Sequence, residues 1–190
     1  MHLKLPSMIK GWLNTNLSPE RLLTQYVSTG KQKYLALLVE HFNLALYHYL
    51  VSLSDKETAE DCLQSTWLKV IRVTSLNKQH TNVKSWLYTI ARNTLIDELR
   101  RQQRWQFEPV SEQQLVSASL VNEIETSDRL AQFNMAIAQL PFAQREAFIF
   151  QQEGFSVMEI GQLTEQNFEA VKSRLRYARK NLQMLLEAHT

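Results

Sequence analysis

The chain has 190 residues, 44% of them hydrophobic, and a formal charge of only +2 from 21 Lys+Arg against 19 Asp+Glu. That length suits one sizeable domain or two small ones, and so balanced a total does not by itself point to a polyanionic partner. A single cysteine, Cys62, excludes an internal disulfide and fits a reducing compartment. No apolar run approaches the roughly 20 residues of a membrane span, and the opening MHLKLPSMIKGWL is broken by Lys4, Pro6, Lys10 and Gly11, unlike a secretory signal. The expectation is a cytoplasmic protein without membrane insertion.

The first clear helix signal is SPERLLTQYV, with Ser18 as N-cap, Pro19 at the first helical position and Glu20 in the first turn. A longer helix follows over about 33–53, apolar on most sides and therefore expected to be buried. In LSDKETAEDCLQSTWLKVIRV the residues Ala59, Cys62, Leu63, Thr66, Trp67, Val70 and Ile71 recur at three and four, giving one apolar stripe, and Cys62 reads as core filler rather than nucleophile. Ser54 and Asp55 stand three residues before Glu57 and Thr58, a capping-box spacing. Glu60, Asp61 and Gln64 face away from the stripe. Acids in a first turn complement the helix dipole, but Asp61 and Gln64 project from a later turn, which favours an exposed partner face.

After a polar loop, VKSWLYTIARNTLIDELRRQQRW predicts another helix, buried along Leu87, Ile90, Ala91, Thr94 and Leu95. Trp86, Asn93 and Arg100 are seven apart and fall along one line, with Tyr88, Arg92 and Arg101 close by. Aromatic faces with a basic flank suit single-stranded bases and their phosphates, stacking being worth about 1–3 kcal/mol per base. The bland alternative is that Trp86 and Tyr88 fill a seam between helices. Lys84 to Arg104 holds five cations against two acids, whereas Gln106 to Asp128 holds five acids and no cation. The acidic stretch, with Pro109 and four serines, reads as a linker.

Beyond the linker, RLAQFNMAIAQL stops at Pro141, a helix spans 142–153 before Gly154, and Ser156 caps VMEIGQL. A last helix runs from about Asn167 to Ala188. The pair has the helix–turn–helix layout. Val171 to Lys180 carries five cations and no acid. On this second helix Phe168, Val171, Leu175, Ala178, Leu182 and Leu185 form the inward stripe. Lys172, Arg176, Arg179 and Lys180 span a polar arc of roughly 100° beside it, with Arg174 on the other flank. Asn167, Glu169 and Ser173 offer hydrogen-bonding groups near the helix start, where base edges are read, while the cations neutralise phosphates. The alternatives are a solvated basic helix or a partner-binding one. The turn Thr164-Glu165-Gln166 lacks the glycine usual at a positive φ, an omission costing on the order of 1 kcal/mol, and Gly161 is expected to permit close helix approach instead. Few Gly and Pro and no lasting alternation make the whole chain all-α: two small helical domains joined by an acidic linker. No metal site, cofactor loop or catalytic set is visible, the five His being scattered.

Three segments, TAEDCLQSTWLKVIR (58–72), VKSWLYTIARNTLIDELRRQQR (83–104) and LPFAQREAFIFQQEGFSVMEIGQLTEQNFEAVKSRLRYARKNL (140–182), resemble bacterial RNA polymerase sigma factors of the extracytoplasmic-function type. The resemblance implies an N-terminal extension (1–30), a region 2-like domain (31–105), a linker (106–128) threading the polymerase channel, and a region 4-like domain (129–190). It implies core polymerase binding by Glu60, Asp61, Gln64 and Trp67. Recognition and melting of the −10 element falls to Trp86, Tyr88, Arg92, Asn93, Arg100 and Arg101, with the 74–82 loop setting specificity and Asn93 beside a flipped base. Recognition of the −35 element falls to Asn167, Lys172, Ser173, Arg174, Arg176, Tyr177 and Arg179. The implied partners are core RNA polymerase and promoter DNA, duplex and single-stranded. TEQ departs from the family's apolar–Gly–apolar turn, and residues 1–30 have no family counterpart, being either a docking arm for an anti-sigma factor or an extra helix. The rivals are a helical regulatory adapter and a helix–turn–helix repressor, neither of which explains the 83–104 helix together with the 55–64 acids.

Overall fold

The computed structural model describes residues 17–74, 82–105 and 128–187. Eight helices occupy them: α1 (Pro19–Thr29), α2 (Gln32–Val51), α3 (Lys56–Thr74), α4 (Val83–Trp105), α5 (Asp128–Ala138), α6 (Phe142–Gln152), α7 (Val157–Thr164) and α8 (Phe168–Glu187), with no strand among the described residues. The 1–16 stretch, most of the 74–82 loop and the 106–127 linker lie outside them.

The first half is built around α2, whose Leu35, Leu38, Phe42, Leu46, Tyr49 and Leu50 are all buried, at three- and four-residue spacings that line them along one side of the helix, whereas Leu44 on the other side is 65% exposed. Helices α1, α3 and α4 pack on it. Ser18 caps α1 by accepting from the Arg21 amide at 3.4 Å, and Gly30, at φ 65, ends the helix by donating to the Tyr26 carbonyl. Through Leu22, Leu23 and Tyr26 α1 joins this core, resting on α2 and α4. Asp55 opens α3: its two carboxylate oxygens accept from the amide and the hydroxyl of Thr58, each at 2.8 Å. The α2–α3 seam is pinned by Trp67, whose indole N–H donates to Asn43 at 2.9 Å, and the α3–α4 seam by Lys69 donating to Thr94 at 2.8 Å.

The apolar stripe of α3 is narrower than the sequence spacing suggests. Ala59, Cys62, Thr66 and Val70 are fully buried, whereas Ile71 is 43% exposed, because it lies about 100° beyond the stripe's centre. Burial pushes the Cys62 thiol up to about 12, with help from the nearby Glu98 and Asp61 charges.

In the second half α8 packs against α5, α6 and α7. Val171, Leu175, Ala178 and Leu182 make its buried face. Phe168, also expected in that stripe, is 50% exposed; as the first residue of α8 it lies beyond the cover of α7 and sets its ring under Lys172 instead. Ser156 and Glu159 form a reciprocal capping box at the start of α7. Gly161 makes room for the turn rather than for α8: a Cβ there would meet the Gln166 carbonyl oxygen at 2.7 Å, whereas the nearest α8 atom, on Val171, would be at an ordinary 3.9 Å. The turn bends through Glu165 at φ 56, the one non-glycine residue at positive φ among those described. Arg145 is fully buried and donates to the Ala138 carbonyl at 3.1 Å, placing its charge at the C-terminal end of α5, where the helix dipole favours a cation.

Candidate nucleic-acid interface

Three faces carry the residues singled out in the sequence. On α3, Glu57, Glu60, Asp61 and Gln64 are exposed, and the line from Asp61 through Gln64 continues into Leu68 and Ile71, 55% and 43% exposed. This face is acidic at one end and oily at the other. The sequence reading missed Leu68 and placed Ile71 inside; the signal was their spacing of seven from Asp61 and Gln64. Trp67 belongs to the seam behind it rather than to the open surface.

On α4 the expected line divides. Trp86 is half-buried, whereas Asn93, Arg100 and Arg101 are exposed. Arg101 makes a two-pronged contact with Glu98 at 2.7 and 2.9 Å. Tyr88 and Arg92 point elsewhere, into the second half. Tyr88 is fully buried, and its hydroxyl donates to Glu153 at 2.6 Å. Arg92 donates through Nε and Nη2 to the two oxygens of Glu146 at 2.9 and 3.2 Å. In this arrangement neither side chain is open to a DNA strand, and for Tyr88 the seam reading is the one the structure displays.

Burial shifts the two tyrosines and Glu146. It pushes the Tyr88 hydroxyl well above its ordinary range, helped by the bond to Glu153, and likewise the Tyr49 hydroxyl, which faces Glu146. Burial also pushes the Glu146 carboxyl up, against the pull of Arg92, Tyr49 and the more distant Arg174 charge. For Arg92 burial acts downward, but the Glu146 charge outweighs it and holds the guanidinium protonated more firmly than usual.

On α8 the cations face outward. Lys172, Arg176, Tyr177, Arg179 and Lys180 are exposed, while Ser173 and Arg174 are half-buried. Among the described residues, Lys172 is the one cation of this helix that pairs with a carboxylate, Glu169 at 3.5 Å, an exposed contact of small energy. The Arg176 guanidinium lies 5.1 Å from the Tyr177 ring centre, and Arg179 donates to Gln151 at 2.8 Å. Asn167 serves the helix itself, accepting from the Ala170 amide at 2.8 Å, so its side-chain oxygen is committed to the N-cap.

Among the described residues no group of His, Cys, Asp and Glu could hold a metal ion, and no helix is long and apolar enough to cross a membrane. An acidic–apolar face, a cationic–aromatic helix and a basic second helix of a helix–turn–helix thus lie on one chain. Comparison with known proteins matches residues 38–105 to Sigma-70 region 2 and residues 130–182 to Sigma-70 region 4. The ECF RNA polymerase sigma factor SigX of Bacillus subtilis is 27% identical over 167 residues, covering 80% of this chain and 84% of that protein. The ECF RNA polymerase sigma factor SigM of Mycobacterium tuberculosis strain Erdman is 30% identical over 148 residues, covering 73% of this chain and 70% of that protein. Among solved structures, the sigma factor RpoE of Bartonella quintana, in complex with the anti-sigma factor NepR, superposes with a TM-score of 0.63 at 28% identity, covering 78% of this chain and 95% of that one. The chain belongs to the extracytoplasmic-function RNA polymerase sigma factors.

Proposed function

We propose that the three faces act in sequence during promoter opening. The Glu60–Asp61–Gln64 face of α3, extended by Leu68 and Ile71, docks on core RNA polymerase. The carboxylates provide complementarity to a basic surface and the exposed aliphatic side chains provide burial. Trp67 supports the face from behind. The outward cations of α8, Lys172, Arg176, Arg179 and Lys180, hold upstream duplex phosphates, and Ser173, Arg174 and Tyr177 sit where the helix meets the −35 base edges. Trp86, Asn93, Arg100 and Arg101 on α4 receive the separated −10 strand. Strand contacts exist only in the open state, so their binding energy biases the promoter toward it without any covalent chemistry by this chain.

The observation that carries the reading is the outward basic arc of α8, with one carboxylate partner among the described residues, on the same molecule as an exposed acidic–apolar face. The whole process would take place in the cytoplasm, with an anti-sigma factor as regulator, as NepR is for the Bartonella protein. Run-off transcription with purified core polymerase tests it. Initiation only when this chain is present is the expected result; duplex binding without initiation would turn the reading to a repressor, and neither activity to an adapter.

A further inference from the structure

The outward line of α8 begins with an acid. Glu169, Ser173, Arg176 and Lys180 follow one another at spacings of four, three and four, so they share one side of the helix. It is the side away from the buried Val171, Leu175, Ala178 and Leu182. At the head of this line the Glu169 side chain is 78% exposed. A carboxylate so placed repels phosphates that the neighbouring cations attract, and the scheme above gives it no task.

The usual local task of a first-turn acid falls to other groups. The N-cap of α8 is Asn167, whose side-chain oxygen accepts from the Ala170 amide at 2.8 Å. On α7 the first-turn Glu159 does serve as a cap, accepting from the Ser156 amide and hydroxyl at 2.9 and 2.8 Å. Glu169 meets no backbone amide among the described residues. Its Oε1 faces the Lys172 ammonium at 3.5 Å, and the same ammonium lies 5.3 Å from the centre of the exposed Phe168 ring. Oε2 has no protein donor among the described residues. Complementing the helix dipole accounts for a negative charge here, but that role is indifferent to DNA sequence.

A recognition helix meets base edges with its N-terminal residues, and an ionised carboxylate only accepts. In the major groove guanine and the thymine carbonyl present acceptors, and adenine sets its N7 acceptor beside its amino group. Cytosine presents the N4 amino donor alone. We propose that Glu169 is a specificity-determining residue, accepting a hydrogen bond from cytosine N4 within the −35 element. The inference rests on the sigma-factor reading of α8. Facing any other base, the same carboxylate meets acceptors and phosphates, so it discriminates by repulsion as well as by attraction. Lys172 has three donors; it keeps Glu169 in place while a phosphate takes another of its N–H groups.

The test uses holoenzyme reconstituted from core polymerase and the full chain, selecting from duplexes with a randomised upstream segment whose bound fraction is sequenced. The parent chain should enrich a C·G pair at one position of the upstream element. Glu169→Gln should change that pair to A·T, with adenine on the strand that carried cytosine, because a carboxamide pairs with adenine N6 and N7. Glu169→Ala should leave the position without preference, and all other positions should stay as in the parent. In competition between fixed duplexes, replacing the cytosine should weaken parent binding about tenfold and leave Glu169→Ala binding nearly unchanged. An upstream element of the same composition in the parent and both variants overturns the inference and keeps the sigma reading, as does a change in affinity that is uniform over all sequences. The absence of any C·G pair from the parent's element also overturns it, with no variant needed. A parent chain that enriches no upstream element overturns the inference together with the −35 reading of α8.

Discussion

Glu165 holds a left-handed conformation, φ 56 and ψ 39, as the C-cap of α7, where an L side chain is about 1–2 kcal/mol worse than glycine. Glu165→Gly should therefore stabilise the chain by about 1 kcal/mol, raising Tm by about 2–4 °C in a calorimetric scan. An unchanged or lower Tm would show that the Glu165 side chain makes a compensating contribution. Cys62 offers a second check at this scale. With its thiol pushed up to about 12 and the side chain buried, alkylation near neutral pH should follow unfolding rather than precede it, as mass spectrometry along a denaturant series would display. Both features could be read from the sequence: the strained turn from the missing glycine in Thr164-Glu165-Gln166, and the buried thiol from its place among apolar residues at helical spacing. Phe168 and Ile71 could not, because periodicity locates a stripe but not how far a neighbouring helix extends over its edges.

Helix ends were legible for the same local reason. Ser18, Asp55 and Ser156 each satisfy amides a few residues ahead, and the partners lie within sight along the chain. Asp55 also makes the start of α3 sensitive to acid. Partial burial pushes its carboxyl up, but hydrogen bonds from Thr58 outweigh this and hold it below the ordinary carboxylate range. The carboxyl is depressed in the folded state, so its contribution is present above the unfolded value, about 4, and is lost as pH falls through the folded one. Asp55→Ala should cost about 1 kcal/mol at neutral pH, and denaturant titrations should find the gap to the parent closing on acidification below that range. On α8 the expectation is different in kind. Lys172→Ala and Arg176→Ala should each weaken duplex binding and lower the magnitude of the salt slope by about 1, measured by fluorescence anisotropy at several salt concentrations. A slope that does not move would take those two cations off the phosphate backbone.

At the scale of the molecule, sequence reading marked the right helices and could not say which side chains face one another. Tyr88 and Arg92 stood out as an aromatic and a cation on α4, and their surroundings come from Glu146, Phe150, Glu153 and Phe155, more than fifty residues on. No periodicity records such a pairing, because nothing in the local chemistry of α6 announces what lies across from it. The polymerase-docking face, by contrast, is contained in one helix and was half legible: the acids showed, the exposed aliphatic end did not. Asp61→Lys should abolish co-elution with core polymerase on gel filtration while leaving Tm within about 1 °C, the usual outcome for a surface substitution. Retained co-elution would remove that face from the interface. Leu68→Ser, which alters only the oily end, should weaken assembly by roughly 1–2 kcal/mol, the worth of one buried aliphatic side chain.

Arg145 leaves a last consequence. Its guanidinium is sealed from water with a backbone carbonyl of Ala138 as its one hydrogen-bonded partner among the described residues, where its Nε has none. The elbow between α5 and α6 is thus braced by a cation plugged onto the tail of a helix, beside the greasy contact of Phe133 with Phe148. A lysine there would keep the charge but lose the flat, branched reach that fits the plug. The bend should then loosen, and with it the angle at which the reading helix is presented to the double helix.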